Sequence, residues 1–229
     1  MIGIRAPASR LLLVLLLGGC AAHTVAPRGS VLDRMPEQVR PAARYVVYLH
    51  GRILEDKPDQ PRDERFGVYA YDSILATLAS SGAHVIAERR DSGTDFRVYG
   101  QHVAEQVSSL LAAGVAPERI TVVGFSKGGA IAMIASALLA NPRIGFVLLA
   151  PCGDWMRNRE DVNVRGRILS IYEASDELGT SCAPLFERAS APGEHREIRI
   201  ATGAGHGAFF RPRPEWVRPV LDWIAAGRR

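Results

Sequence analysis

Cysteine is scarce in this sequence. Cys20, Cys152 and Cys182 are the only three in 229 residues. That excludes a small disulfide-scaffolded fold, which concentrates cysteines in a short chain. Long apolar runs are also missing. The longest covers seven residues, 11–17, far below the roughly 20 that cross a bilayer as a helix. Glycine and proline, 22 and 14 residues, follow no collagen-like period, and no internal repeat is present. Charge of one sign is not in excess either. The formal net charge is +4, and it falls to about +2 without Arg5 and Arg10. So weak a surplus argues against a nucleic-acid partner. What remains is 47% hydrophobic and 23% charged, the composition of one compact globular domain.

The first twenty residues read as an address. Arg5 and Arg10 precede the apolar run 11–17, and Gly18-Gly19 follow it before Cys20. A basic segment, a short apolar core and small residues at a cleavage point make a secretory signal. The end of this stretch, Leu17-Gly18-Gly19-Cys20, resembles a bacterial lipobox. The resemblance implies removal of 1–19, lipidation of Cys20 and anchoring to the cell envelope. An ordinary signal with an incidental cysteine is the alternative. Residues 20–43 carry Pro27, Pro36 and Pro41 without sustained periodicity and read as a tether. The folded domain is then expected over 44–229.

Beyond residue 44 short β-branched runs alternate with longer amphipathic ones. That pattern predicts an α/β fold with an open, mostly parallel sheet and helices on both faces. Strands are expected over 45–49, 84–87, 120–123, 145–150, 167–172 and 197–201. Helices are expected over 71–80, 103–113, 127–139 and 214–226, the last carrying Pro219, which should kink it or delay its start.

The chemistry centres on Gly124-Phe125-Ser126-Lys127-Gly128-Gly129, between an apolar strand and a helix. This is G-x-S-x-G in the context it requires. A chain that turns at once from strand to helix holds the serine in a strained turn, and the flanking glycines make room for it. Neither G-x-x-x-x-G-K-[ST] nor G-x-G-x-x-G stands there, so a nucleotide has no phosphate loop. A serine nucleophile needs a base, and the base an orienting acid. Of six histidines only His206 follows the last strand, in Gly203-Ala204-Gly205-His206-Gly207. Asp176 follows the fifth strand; Asp154, after the fourth, and Glu173 and Glu177 are rivals. The backbone N–H groups of Arg52, after the first strand, and Lys127, after the serine, are candidate donors to an oxyanion. His50 reads as an organiser of that loop rather than a catalyst.

With His50-Gly51, the serine elbow, Asp176 and His206 each after a strand and in this order, the chain from about residue 44 onward resembles the α/β-hydrolases. The resemblance implies an acyl-enzyme mechanism on a small acyl substrate, with Ser126 attacking a carbonyl, His206 shuttling the proton and Asp176 fixing the imidazole. It implies no metal and no cofactor. Two departures stand out. The amino-terminal antiparallel strands of larger members are not visible, and 151–166 is too short for a cap domain.

Carboxylic esters are the expected substrates, with thioesters and peptides as variants and a non-catalytic binding lipoprotein as the rival reading. Cys152 and Cys182 follow adjacent predicted strands on one sheet edge. In an exported protein they either pair or remain two neighbouring thiols. The loops 51–68 and 88–97 are rich in both charges, which suggests short or polar acyl groups rather than oil-like ones.

Overall fold

A computed structural model of the chain describes Gly3 and residues 29–156, 159, 162–189 and 193–227. Cys20 and, apart from Gly3, the signal-like segment before it lie outside the described residues. Among the described residues no helix is long and apolar enough to cross a membrane.

The main sheet has seven strands: β1 (Val31–Leu32), β2 (Tyr45–Leu49), β5 (His84–Ile86), β6 (Ile120–Phe125), β7 (Gly145–Leu149), β8 (Arg167–Glu173) and β9 (His195–Ile200). Their spatial order is β1-β5-β2-β6-β7-β8-β9, and every neighbouring pair is parallel. The open parallel sheet expected from the sequence is therefore present, and all six of its expected strands are in it. A small antiparallel hairpin, β3 (Arg62–Asp63) with β4 (Gly67–Val68), stands apart from it.

Alternation along the strands divides the core in two, because successive side chains point to opposite faces. Val46 and Tyr48 of β2 and Val123 and Phe125 of β6 face one way. They pack with α2 (Tyr71–Ala79) and α6 (Pro214–Ala226). Tyr45, Val47 and Leu49, with Ile120 and Val122, face the other way and meet α3 (Phe96–Ala112) and α4 (Lys127–Leu139). Two five-residue helices, α1 (Arg52–Asp56) and α5 (Ala183–Glu187), sit in the loops after β2 and β8.

Three local features differ from the sequence reading. The segment read as a tether joins the domain before residue 44. Val31 and Leu32 pair with Val85 and Ile86, and Leu32, Met35 and Val39 pack on the core. A two-residue strand leaves no alternation to detect. Helix α3 starts at Phe96 rather than 103, because Asp95 caps it, accepting from the N–H groups of Arg97 at 2.8 Å and Val98 at 3.0 Å. Helix α6 starts at Pro214, without delay, and runs through Pro219. The carbonyl this proline leaves unpaired, that of Glu215, belongs to an exposed residue.

Between β7 and β8 the described residues hold only a 3-10 turn, Asp154–Met156. Cys152 and Cys182 form a disulfide, with Cα atoms 5.4 Å apart. It ties the loop after β7 to the loop after β8.

Candidate active site

All six residues of β6 are buried, and the chain leaves it at Ser126 to enter α4. Ser126 takes φ 54° and ψ −118°, a conformation costing of order 1–3 kcal/mol for a non-glycine residue. Its surroundings over-determine it. Its N–H donates to the Leu149 carbonyl at 2.8 Å, and its own carbonyl accepts from the Gly129 and Ala130 N–H groups. The turn is closed enough to exclude side chains beside it. A Cβ on Gly124 would lie 2.3 Å from the Gly128 carbonyl oxygen, and one on Gly128 only 2.0 Å from that of Leu49. Both positions therefore demand glycine.

The elbow aims Ser126 Oγ at His206, whose Nε2 is 2.9 Å away. On its other side His206 Nδ1 is 2.7 Å from Asp176 Oδ2. Asp176 is buried, and its second oxygen accepts from the Leu178 N–H at 2.8 Å. That leaves Nε2 free to face the serine as an acceptor once Nδ1 carries the proton. The histidine sits on the 3-10 turn Gly205–Phe209, after β9. Its ring is braced by Phe125, with centroids 4.8 Å apart, and by Phe66 at 6.2 Å. Of the rival acids, Asp154 and Glu177 are exposed, and the carboxylate bonded to His206 is that of Asp176.

Glu173 has a different task. It is 1% exposed. Its Oε2 accepts from the Ser175 N–H and hydroxyl, both at 2.6 Å. Its Oε1 accepts from the N–H groups of Thr202 at 2.8 Å and Gly203 at 3.0 Å. Burial pushes this carboxyl up, but the hydrogen bonds from Ser175, Thr202 and Gly203 outweigh it and hold the group at about 2. One carboxylate thus fastens the loop carrying Asp176 to the loop carrying His206.

Opposite the histidine, Arg52 and Lys127 open α1 and α4. First-turn N–H groups have no acceptor within their own helix. The two loops touch: a Cβ on Gly51 would lie 2.9 Å from the Phe125 ring and 3.7 Å from Ser126 Cβ. His50 is fully buried. Its Nε2 accepts from the Arg90 N–H at 3.0 Å, so its proton lies on Nδ1, 2.9 Å from the Gly51 carbonyl. Burial, and then the Arg90 guanidinium, lower its pKa to about 3, which keeps the ring neutral.

Within the charged loops 51–68 and 88–97, two charges turn inward. Arg90 Nε donates to Glu55 Oε1 at 2.8 Å, and both side chains are almost fully buried. Arg90 also donates to the His50 carbonyl. Glu55 Oε2 accepts from Lys127 Nζ at 2.5 Å. Glu55 therefore links the two loops that supply Arg52 and Lys127. Nothing local marks this link, since Glu55 and Arg90 lie 35 residues apart.

Two cavities meet at His206. One, about 420 Å³, holds Ser126, Lys127 and Arg52 under a largely apolar wall that includes Phe96, Pro151, Trp155 and Leu178. This wall differs from the polar mouth expected from the loop composition. The other, about 560 Å³, reaches His206 from the side of Phe66 and Arg211. Among the described residues no three His, Cys, Asp or Glu side chains are grouped to hold a metal ion.

No protein-family model matches the chain, and no curated protein matches it. Solved structures do. A protein described as a predicted CIB-like hydrolase, from Thermoplasma acidophilum, is 21% identical, with a TM-score of 0.50 over 80% of this chain and 86% of that one. A truncated carbohydrate esterase from gut microbiota is 15% identical, with a TM-score of 0.55 over 84% and 88%. SOBER1 from Arabidopsis thaliana is 16% identical, with a TM-score of 0.53 over 82% and 100%. At such identities the likeness is one of fold, and that fold is the α/β-hydrolase fold.

Proposed function

We propose that this chain, with its α/β-hydrolase fold, is a serine hydrolase that cleaves carboxylic esters through an acyl-enzyme. The observation that carries the reading is the continuous relay from Ser126 Oγ through the His206 ring to Asp176, at 2.9 Å and 2.7 Å. In this reading Ser126 Oγ attacks the ester carbonyl carbon while His206 Nε2 takes its proton. Asp176 stays ionised and stabilises the imidazolium. The Arg52 and Lys127 N–H groups receive the negative oxygen of the tetrahedral intermediate. His206 then protonates the departing alcohol. Water enters, gives its proton to the same nitrogen and attacks the acyl carbon; Ser126 recovers its proton as the acid leaves. The names of the hydrolase and esterase with which the chain shares its fold agree with this class of reaction.

The same proposal places the protein outside the cytoplasm, held to the cell envelope by lipid on Cys20. The Cys152–Cys182 disulfide supports export, since such bonds persist in oxidising compartments. A fluorophosphonate probe tests the chemistry. Labelling of the wild type and none of Ser126→Ala is the expected result. Absence of label on both would leave a hydrolase-fold binding protein. Radiolabelled fatty acid incorporated into the wild type but not into Cys20→Ala is the corresponding result for the anchor.

A further inference from the structure

The second cavity at His206 is walled by cations. Arg65 reaches it from the turn between β3 and β4; Arg211 and Arg213 come from the segment leading into α6. Glu177 is the one carboxylate in its lining. The three guanidinium groups make no ion pair among the described residues. Arg65 lies over the Phe66 ring, 4.7 Å from its centroid, and both residues line the cavity. Arg211 folds toward the same hairpin: a Cβ on Gly67 would lie 3.6 Å from its Nη2. Arg213 Nε is shielded from solvent and has no hydrogen-bond partner. A buried donor left without an acceptor is costly, and such groups ordinarily meet one. With three arginines and one glutamate in its lining, the cavity suits a planar or tetrahedral oxyanion.

The place of this cavity selects which half of a substrate carries the charge. Of Ser126, Asp176, His206 and the two oxyanion donors, only His206 lines it. Ser126, Arg52 and Lys127 line the apolar cavity, which shares His206 with it. The group that must lie against His206 Nε2 during cleavage is the alcohol oxygen it protonates. We propose that Arg65, Arg211 and Arg213 bind an anionic group, a carboxylate, phosphate or sulfate, on the alcohol half of the ester, while the acyl half lies in the apolar cavity. This assignment rests on the ester-hydrolase reading above and supplies its substrate class.

The test compares two aryl acetates that differ in one charge, 4-acetoxybenzoate and methyl 4-acetoxybenzoate. The measured quantity is the ratio of their kcat/KM values in wild type and in Arg65→Gln, Arg211→Gln and Arg213→Gln, with thermal melts confirming folding. Taking the ratio between enzymes cancels the intrinsic reactivity of the two esters. A charge-assisted hydrogen bond is worth enough to change this ratio by about tenfold or more. The expected result is such a fall in preference for the anion in at least the Arg211 and Arg213 variants. An unchanged ratio in all three overturns the proposal. Calorimetry of both esters with Ser126→Ala gives a second reading that needs no turnover. Preferential binding of the anion, lost on adding Arg213→Gln, supports the cavity even if the wild type hydrolyses neither ester and takes no fluorophosphonate; in that event only the hydrolase reading falls. Equal binding of both esters overturns the cavity assignment itself.

Discussion

Two buried glutamates brace opposite sides of the serine, and they are held by different physics. Glu55, on the side of Arg52 and Lys127, is gripped by two cations, Arg90 and Lys127. Glu173, on the side of His206, is gripped by backbone N–H groups and hydroxyls. An ion pair taken out of water must repay a large desolvation cost, and removing one partner strands the other charge. A carboxylate satisfied by neutral donors strands no charge when it is lost. The side of Arg52 and Lys127 is therefore held through charges of its own. The side of His206 is held by Glu173 through neutral donors, with no cation bonded to that carboxylate.

The largest expected effect comes from breaking the charged brace. Glu55→Ala leaves Arg90 buried without its carboxylate, which typically costs 3–5 kcal/mol. Urea denaturation should find a loss of about that size. Where the variant folds, kcat should fall by up to about a hundredfold as the proposed oxyanion donors, Arg52 and Lys127, lose their alignment. Glu173→Gln removes a charge from a site with no opposing charge. Its expected cost is smaller, about 1–3 kcal/mol, read in the same denaturation experiment. Equal losses in the two variants would erase the distinction between the braces.

The smallest effect at neutral pH belongs to His50, and it grows only in acid. Its folded pKa of about 3 lies below the ordinary 6.5. As pH falls from 6.5 toward 3, the unfolded chain takes up a proton that the folded ring refuses, so stability drops by at most about 1.4 kcal/mol per pH unit. Glu173 acts in a lower window. Its contribution is present above about 4.5 and is lost as pH falls toward about 2. His50, together with His84 and His195, whose pKa values burial also lowers, should therefore make stability decline before Glu173 does. In His50→Gln the slope between pH 6.5 and 4.5 should flatten while the decline below 4.5 remains. A slope unchanged by that substitution would remove His50 from the acid response.

The strands, the long helices and the residues of the relay were legible because each leaves a local mark. Continuous apolar runs mark β6 and β7, and the crowding at Gly124 and Gly128 writes the elbow into five consecutive letters. The order of Asp176 and His206 follows from which strand each one ends. The two braces left no such mark. Glu55 sits among nine charged residues of 51–68, and only the fold decides that it turns inward while Asp56 stays exposed. Glu173 was weighed as a triad acid because it ends the right strand; its side chain instead reaches back to Thr202 and Gly203. The arginines at 65, 211 and 213 come from segments about 150 residues apart, and charge spacing along the chain carries no trace of their meeting.

The sheet ends differently on its two sides, and this bears on how the protein survives at high local concentration. An open parallel sheet exposes two rows of unpaired backbone groups, each a template for another chain. Here β1 presents only two residues, too short a ledge for stable pairing. On the far side β9 is His195-Arg196-Glu197-Ile198-Arg199-Ile200, a strand whose charges make a second copy's approach unfavourable. Among the described residues, neither edge gives a second copy a long uncharged strand to pair with.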